Sequence, residues 1–264
     1  MRKKETIATL RAAKGERKLV MVTAYDALFA SLLADSADML LVGDSLNMSF
    51  AGEPDTLSAT LEQMIYHTKA VCAGAPENFV ICDMPFGSVN TPHEALANCV
   101  EVFRQTRADA VKIEGGEERA DLIAHLTANA IPVMGHVGLK PQSVRAEGGY
   151  IVQGRDSKSF EKVLKDAAAV ERAGAFALVI EGVTPQLAAA VTRECDIPVI
   201  GIGAGAATDG QVLVWSDMLG FFEAFKPKFV KRYLEGAKLT KEAMAQYAKE
   251  VREGTFPDEE HCYR

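Results

Sequence analysis

Asp44, Asp83, Glu114, His136 and Glu181 share one kind of position: each stands where a short apolar run gives out. A single acid at such a place commonly caps the helix that follows. Five in succession need another explanation, because the helical segments carry their own caps in Thr60, Thr91 and Thr184. If the runs are adjacent parallel strands, roughly 5 Å apart, Asp44, Asp83 and Glu114 crowd three carboxylates together and at least one pKa rises. A hard divalent cation removes that conflict. Oxygen-only ligation, with positions left for water or substrate, suits Mg²⁺ better than zinc. No HExxH motif or cysteine pair favours zinc.

Lys112 and Glu114 alternate with Val111 and Ile113 in the run Ala110–Glu114, so a period of two puts both charges on one face of a strand. Taken alone, the run also fits a buried ion pair or an edge strand. Beside an open metal position, Lys112 suggests a substrate with adjacent oxygen donors, such as a 2-oxo acid. The metal would then polarise the carbonyl as a Lewis acid on the developing enolate. Lys112 and Ser45 could hold the carboxylate or further oxygens, and Glu181, free of metal across the mouth, is the candidate general base. His136 suits a structural histidine as well, but its place at a strand end favours a substrate contact. His67, His93, His125 and His261 are read as helix or tail residues without a role.

The elements that must position these residues follow from the hydrophobic pattern. Strands are expected at 18–24, 38–43, 79–82, 110–114, 131–135, 176–180, 197–200 and 211–215. Helical segments alternate with them, among them one opened by the Thr60/Gln63 capping box and one by Thr91, Pro92 and Glu94. The stretch 138–155 reads as a long loop, and the tail from Lys226 as two helices broken near Leu239 and Thr240. Eight βα units predict a (β/α)₈ barrel, with the polar residues at its carboxyl-end, catalytic face. An open doubly wound sheet would want a glycine-rich turn after the first strand, where Ala24, Tyr25 and Asp26 stand instead. The 264 residues fit one such domain, with 226–264 as an appended helical tail.

Composition narrows the function. A formal charge of −7 without a basic run argues against nucleic acid. Five scattered cysteines make a disulfide framework unlikely to form and point to a reducing compartment. The amino-terminal segment is too charged, and its apolar run too short, for an export signal, and no apolar run approaches a membrane span. A cytoplasmic protein is expected.

Several motifs in unbroken order carry a resemblance. Val42–Leu46, Asp83–Phe86, Val111–Gly116, Gly135–Leu139, Gly149–Arg155, Ile200–Gly205, Asp209–Val214, and the closing Phe256-Pro257 and Glu260-His261 resemble the ketopantoate hydroxymethyltransferase family across nearly the whole chain. The resemblance implies a Mg²⁺-dependent barrel of the phosphoenolpyruvate/pyruvate type, with one Mg²⁺ per subunit. It implies transfer of a one-carbon unit from 5,10-methylenetetrahydrofolate to 3-methyl-2-oxobutanoate, giving 2-dehydropantoate on the way to pantothenate and coenzyme A. By motif, Asp44 and Asp83 match metal ligands, Glu114 a third metal-site acid acting through water, Ser45 and Lys112 substrate contacts, and Glu181 the base. A homo-oligomer, a decamer, is implied by the resemblance alone. Asn47, Val89 and Ile151 depart from the residues usual in the family, glycine, tyrosine and lysine, and all three lie in loops.

Gly201–Gly205 stands where many barrels bind phosphate, but the family's substrate has none, which favours close backbone packing. Two rival functions remain open. An isocitrate lyase-type enzyme would share the acids but needs a reactive cysteine, and Cys82 is expected on the outward face. A non-catalytic binding barrel would have little reason to keep so many strand-end charges.

Overall fold

The computed structural model describes residues 3–263. Its strands are β1 (Leu19–Thr23), β2 (Met39–Val42), β3 (Phe79–Asp83), β4 (Ala110–Glu114), β5 (Val133–Gly138), β6 (Ala177–Glu181), β7 (Val199–Ile202) and β8 (Gly210–Leu213). They pair in parallel and in sequence order, and β8 closes onto β1. The expected barrel is the observed one. The last strand ends earlier than expected, because Trp215 opens a short helix, Trp215–Met218.

Alternation along the strands fills the barrel. Met21, Met39, Leu41, Phe79, Ile81, Ala110, Met134, Ala177, Val179, Ile200 and Val212 belong to one buried apolar cluster. Stepping two residues from such positions toward the carboxyl ends reaches Asp83 from Ile81, Lys112 and then Glu114 from Ala110, His136 from Met134, and Glu181 from Val179. The period that packs the plug therefore also aims the polar residues into the mouth.

The opposite end is closed by a device absent from the sequence reading. Asp38, Asp109 and Asp209 directly precede β2, β4 and β8. Each accepts a hydrogen bond from the neighbouring strand's first amides: Val20 N at 2.7 Å, Val80 N at 2.9 Å and Val199 N at 2.9 Å. Each also returns its own N–H to the same residue's carbonyl at 2.8 Å. Lys14 and Arg17 pair with Asp209 and Asp38 at 2.8 and 3.0 Å. Leu10, from the helix Ile7–Ala12, and Ala13 join the apolar cluster beneath them.

Helix starts follow the expected caps. Thr60 and Gln63 form the full capping box, and Thr184 accepts from Leu187 N with Pro185 in the first turn. At Thr91 only half of the expected box forms. Its side chain accepts from Glu94 N, while Glu94 turns to Asn90 at 3.5 Å. The stretch 138–155 is less irregular than expected, holding the 3₁₀ turn Pro141–Ser143 and the short helix Val144–Glu147.

By its contacts the chain divides after Val214. In the second unit the expected break at Leu239 and Thr240 is absent: one helix, Gly236–Glu253, runs through it. Thr240 is accommodated in it, its hydroxyl donating back to Gly236 O at 2.8 Å, a bond that costs a helix little. Residues 226–235, expected to be helical, are not.

Candidate active site

The ends of β2 to β6 deliver one connected cluster. Gly43 brings the chain past Asp83 so closely that a Cβ there would stand 3.0 Å from Ser45 Oγ, and the next amide, Asp44 N, donates to Asp83 Oδ2 at 3.1 Å. Asp83 Oδ1 faces the Lys112 ammonium at 2.9 Å. Lys112 Nζ lies 3.1 Å from His136 Nδ1, which is 3.4 Å from Glu114 Oε1. On the far side of the ring, His136 Nε2 is 3.3 Å from Glu181 Oε2. Asp44, Asp83, Lys112, Glu114 and His136 are all buried, whereas the Glu181 side chain keeps 19% of its surface exposed at the mouth.

Burial pushes the pKa of Asp44 well up, and the charges of Asp83 and Glu114 push it further. Burial also raises Asp83, against the opposing pull of Lys112. For Glu114, burial acts upward but is outweighed by the His136 hydrogen bond and charge, so the net shift is downward. Burial and Lys112 act to lower His136, yet its bonds to Glu114 and Glu181 raise it to about 9. The Lys112 ammonium, a donor only, meets Nδ1 at 3.1 Å, while Glu114 and Glu181 stand 3.4 and 3.3 Å from the two ring nitrogens. Burial would lower Lys112, but Asp83, Glu114 and Asp44 hold it above the usual lysine range.

Two neighbouring residues were not singled out from the sequence. Tyr25, fully buried just after β1, shares a 2.7 Å hydrogen bond with the Ser45 hydroxyl. The signal that marked the acids, a polar group where an apolar run ends, applies to it too, but a tyrosine blends into the run. Gln142, in the loop after β5, donates from its side chain to Asp44 Oδ2 at 2.8 Å and from its main chain to Glu114 Oε2 at 3.0 Å. It stands in a loop without period, where no pattern could have flagged it. His67, read as roleless, donates to Tyr25 O at 2.5 Å.

The cluster's charge tests the fit of a cation. Four carboxylates, Asp44, Asp83, Glu114 and Glu181, face two cationic groups, Lys112 and His136. The acids outnumber the basic groups, and the raised pKa values of Asp44 and Asp83, due to burial and to neighbouring carboxylates, mark a repulsion that a divalent ion would offset. Among the described residues, no three acidic, histidine or cysteine side chains close a cage on an ion. An open, oxygen-only site built on few carboxylates is what Mg²⁺ uses, since it keeps several waters or substrate oxygens. The residues present therefore fit Mg²⁺.

Beside the cluster, a cavity of about 370 Å³ is lined by Leu57, Ser58, Phe86, Gln142, Arg145 and Ala146. Asn47, expected in a loop, lies buried in the short helix Leu46–Ser49, and it donates to Asp55 O at 2.9 Å and Ser58 Oγ at 2.8 Å beside the cavity. Gly201 carries no sign of an anion loop: a Cβ there would meet Thr208 Oγ1 at 2.8 Å, which is close backbone packing. Cys82 is buried, with its thiol pushed up to about 12 by burial, and is no nucleophile.

A closed parallel barrel with this acid-lined mouth defines a class. Its solved counterparts include phosphoenolpyruvate phosphomutase from Streptomyces platensis subsp. rosaceus (TM-score 0.64, 16% identity, 98% of this chain and 92% of that one). They also include 2,3-dimethylmalate lyase, a PEP mutase/isocitrate lyase superfamily member (TM-score 0.62, 18% identity, 97% and 91%). The fold is that of the PEP mutase/isocitrate lyase barrels. Residues 4–259 match the family model of ketopantoate hydroxymethyltransferase. The 3-methyl-2-oxobutanoate hydroxymethyltransferase of Aliarcobacter butzleri (strain RM4018) is 62% identical over 98% of this chain and 97% of its own, and that of Helicobacter pylori (strain G27) is 51% identical over 99% and 97%. The chain belongs to the ketopantoate hydroxymethyltransferase family and is a transferase. Among the described residues, no helix is long and apolar enough to cross a membrane.

Proposed function

We propose that this protein transfers a hydroxymethyl group from 5,10-methylenetetrahydrofolate to 3-methyl-2-oxobutanoate, forming 2-dehydropantoate for pantothenate and coenzyme A synthesis in the cytoplasm. The observation that carries the reading is the cluster itself: buried Asp44, Asp83 and Glu114 beside a mouth-facing Glu181 that stands 3.3 Å from His136. Asp44 and Asp83 would hold Mg²⁺, with Glu114 acting through water. When bound, the ion supplies Lewis acidity that makes the proton at C3 of the oxo acid removable. Lys112 and the Ser45 hydroxyl, set by Tyr25, hold the substrate's oxygens, and His136 contacts the substrate's side of the site while orienting Glu181. Glu181 takes the C3 proton. C3 then bonds to the methylene carbon of the folate as one methylene–nitrogen bond breaks, water displaces the second nitrogen to supply the hydroxyl, and the two freed nitrogens take one proton from Glu181 and one from the water.

The cavity walled by Phe86, Leu57 and Arg145 offers an apolar face and a cation to the folate. A homo-oligomer, a decamer as in the family, suits the apolar side chains left exposed on the barrel's helices, Leu28, Leu32 and Tyr66.

The test is product formation from 3-methyl-2-oxobutanoate and the folate donor, with Mg²⁺ and with excess chelator. We expect 2-dehydropantoate only when metal and both substrates are present. Undiminished turnover in chelator would remove the metal from the scheme. Cleavage of a hydroxy diacid without folate would instead favour the lyase reading, which the buried, protonated Cys82 argues against.

A further inference from the structure

One residue of the loop after β5 reaches the ends of three other strands. Gln142 donates its main-chain N–H to Glu114 Oε2 at 3.0 Å, and its side-chain amide to Asp44 Oδ2 at 2.8 Å and to Met84 O at 3.0 Å. It sits in the turn Pro141–Ser143, which runs directly into the helix Val144–Glu147. The same side chain lines the 370 Å³ cavity together with Arg145 and Ala146 of that helix. Gln142 thus belongs to the carboxylate cluster and to the cavity at once.

A carboxylate with one oxygen fixed by an N–H donor presents its other oxygen in a set direction. Donors of this kind are what orient ligating acids in metal sites. Gln142 does this twice, occupying Asp44 Oδ2 and Glu114 Oε2, so that Asp44 Oδ1 is left for an ion and Glu114 Oε1 is held toward His136 at 3.4 Å. Besides the backbone bond of Leu139 N to Glu181 O at 2.8 Å at its start, the loop's other side-chain ties outward are weaker. Arg145 pairs with Asp55 at 3.1 Å with most of its side chain exposed, and Lys140 reaches Glu118 and Glu147 only at 3.4 and 3.6 Å. Exposed pairs contribute at most about 1 kcal/mol each. The bonds of Gln142 to buried, charged acceptors are the stronger class.

We propose that Gln142 is a positioning residue that couples cation occupancy at Asp44 and Glu114 to the seating of loop 139–149 over the barrel mouth. Coupling of this sort is reciprocal: if the loop orients the acids for the ion, the ion must steady the loop by the same free energy. The cavity wall formed by Arg145 and Ala146 would then be completed only once the ion is in place, so that the first substrate's site is made before the second's. This inference rests on the Mg²⁺ reading above.

The experiment uses the full chain as wild type, Gln142→Met and Arg145→Ala. Methionine keeps the length of glutamine, lacks the amide donors, and leaves the main-chain bond to Glu114 in place. Mg²⁺ binding is measured by calorimetry, and hydrogen exchange of amides 139–149 is followed with and without Mg²⁺. Circular dichroism melts confirm that each variant is folded. In the wild type, Mg²⁺ should slow exchange of the loop. In Gln142→Met the affinity should fall ~10–100-fold, as for other lost partners of metal ligands, and the slowing should vanish even at saturating Mg²⁺. Arg145→Ala, which loosens the same loop at its surface, should keep both properties. Wild-type affinity in Gln142→Met, or faster loop exchange on adding Mg²⁺, would overturn the proposal while leaving the cation site standing. Failure of the wild type to bind Mg²⁺ at all would overturn the cation reading and this inference with it.

Discussion

Glu181 differs from the other three carboxylates of the mouth in being partly open to solvent and paired only with His136 among the site's cations. His136 Nε2, 3.3 Å away, holds its carboxylate at the mouth, where a base must meet the substrate's proton. With Mg²⁺ and 3-methyl-2-oxobutanoate in D₂O and no folate, the wild type should exchange the C3 proton, read by NMR. Glu181→Gln keeps the shape but accepts no proton, so exchange should fall by roughly a hundredfold or more. Exchange at the wild-type rate would move the base elsewhere. Lys112 has a different task. Its ammonium already pairs with Asp83, yet three carboxylates around it hold its charge firmly, so it has charge to offer a substrate anion. Lys112→Met should raise the KM for the oxo acid by roughly 10–100-fold, the worth of a hydrogen bond to a charged group, and leave the KM for folate nearly unchanged. An unaltered KM for the oxo acid would reduce Lys112 to a counterion for Asp83. The acids, Lys112 and His136 were legible in the sequence because each breaks an apolar run at a point where the pattern should continue. Tyr25 and Gln142 were not, one for looking apolar and the other for lying where no pattern exists.

At the scale of elements, the two ends of each strand do different work. The carboxyl ends carry the cluster, and the amino ends carry the clasp of Asp38, Asp109 and Asp209. Conserving chemistry at one end and stability at the other is the division of labour of such barrels. Asp209 is the most demanding of the three. It accepts from the buried Val199 N at 2.9 Å and pairs with Lys14 at 2.8 Å. Asp209→Ala leaves that amide unsatisfied and should cost about 1–3 kcal/mol of stability, seen as a lower urea midpoint, with Mg²⁺ affinity unchanged. Asp83→Ala should show the reverse, losing the metal and keeping the fold. A shift of Mg²⁺ affinity in Asp209→Ala would mean that the two ends are not independent. The eight βα units were legible because the hydrophobic period and the caps at Thr60, Thr91 and Thr184 agree with each other. The clasp was not, since an aspartate before a strand looks like any loop residue until the neighbouring strand is in place. The break expected at Thr240 is absent because one threonine among good helix formers, its hydroxyl bonded back to Gly236 O, costs too little to end the helix.

At the scale of the whole molecule, the sequence's net charge and lack of basic runs argue against nucleic acid but do not say what its surface joins. The structure adds a specific surface. Leu28 and Leu32, one turn apart on the helix Ala27–Leu33, are 67% and 68% exposed, and Tyr66 on the helix Leu61–Gly74 packed beside it is 70% exposed. The residues that cover the barrel lie on the other sides of these helices: Ala30 on the first, and Met64, Ile65 and Val71 on the second. The first helix therefore has an apolar side facing outward as well as one facing the strands, and the second adds Tyr66 among exposed polar residues such as Glu62, Gln63 and Lys69. Large exposed apolar side chains grouped in this way mark an association surface, and in a homo-oligomer the same surface recurs in every copy. A glutamate in such a contact is buried without a partner and opposes assembly. Leu32→Glu should therefore sediment as a smaller species than the wild type, while D₂O exchange of the oxo acid, which needs only the cluster of one barrel, continues. A sedimentation coefficient equal to that of the wild type would show that this pair of helices is not where the copies meet.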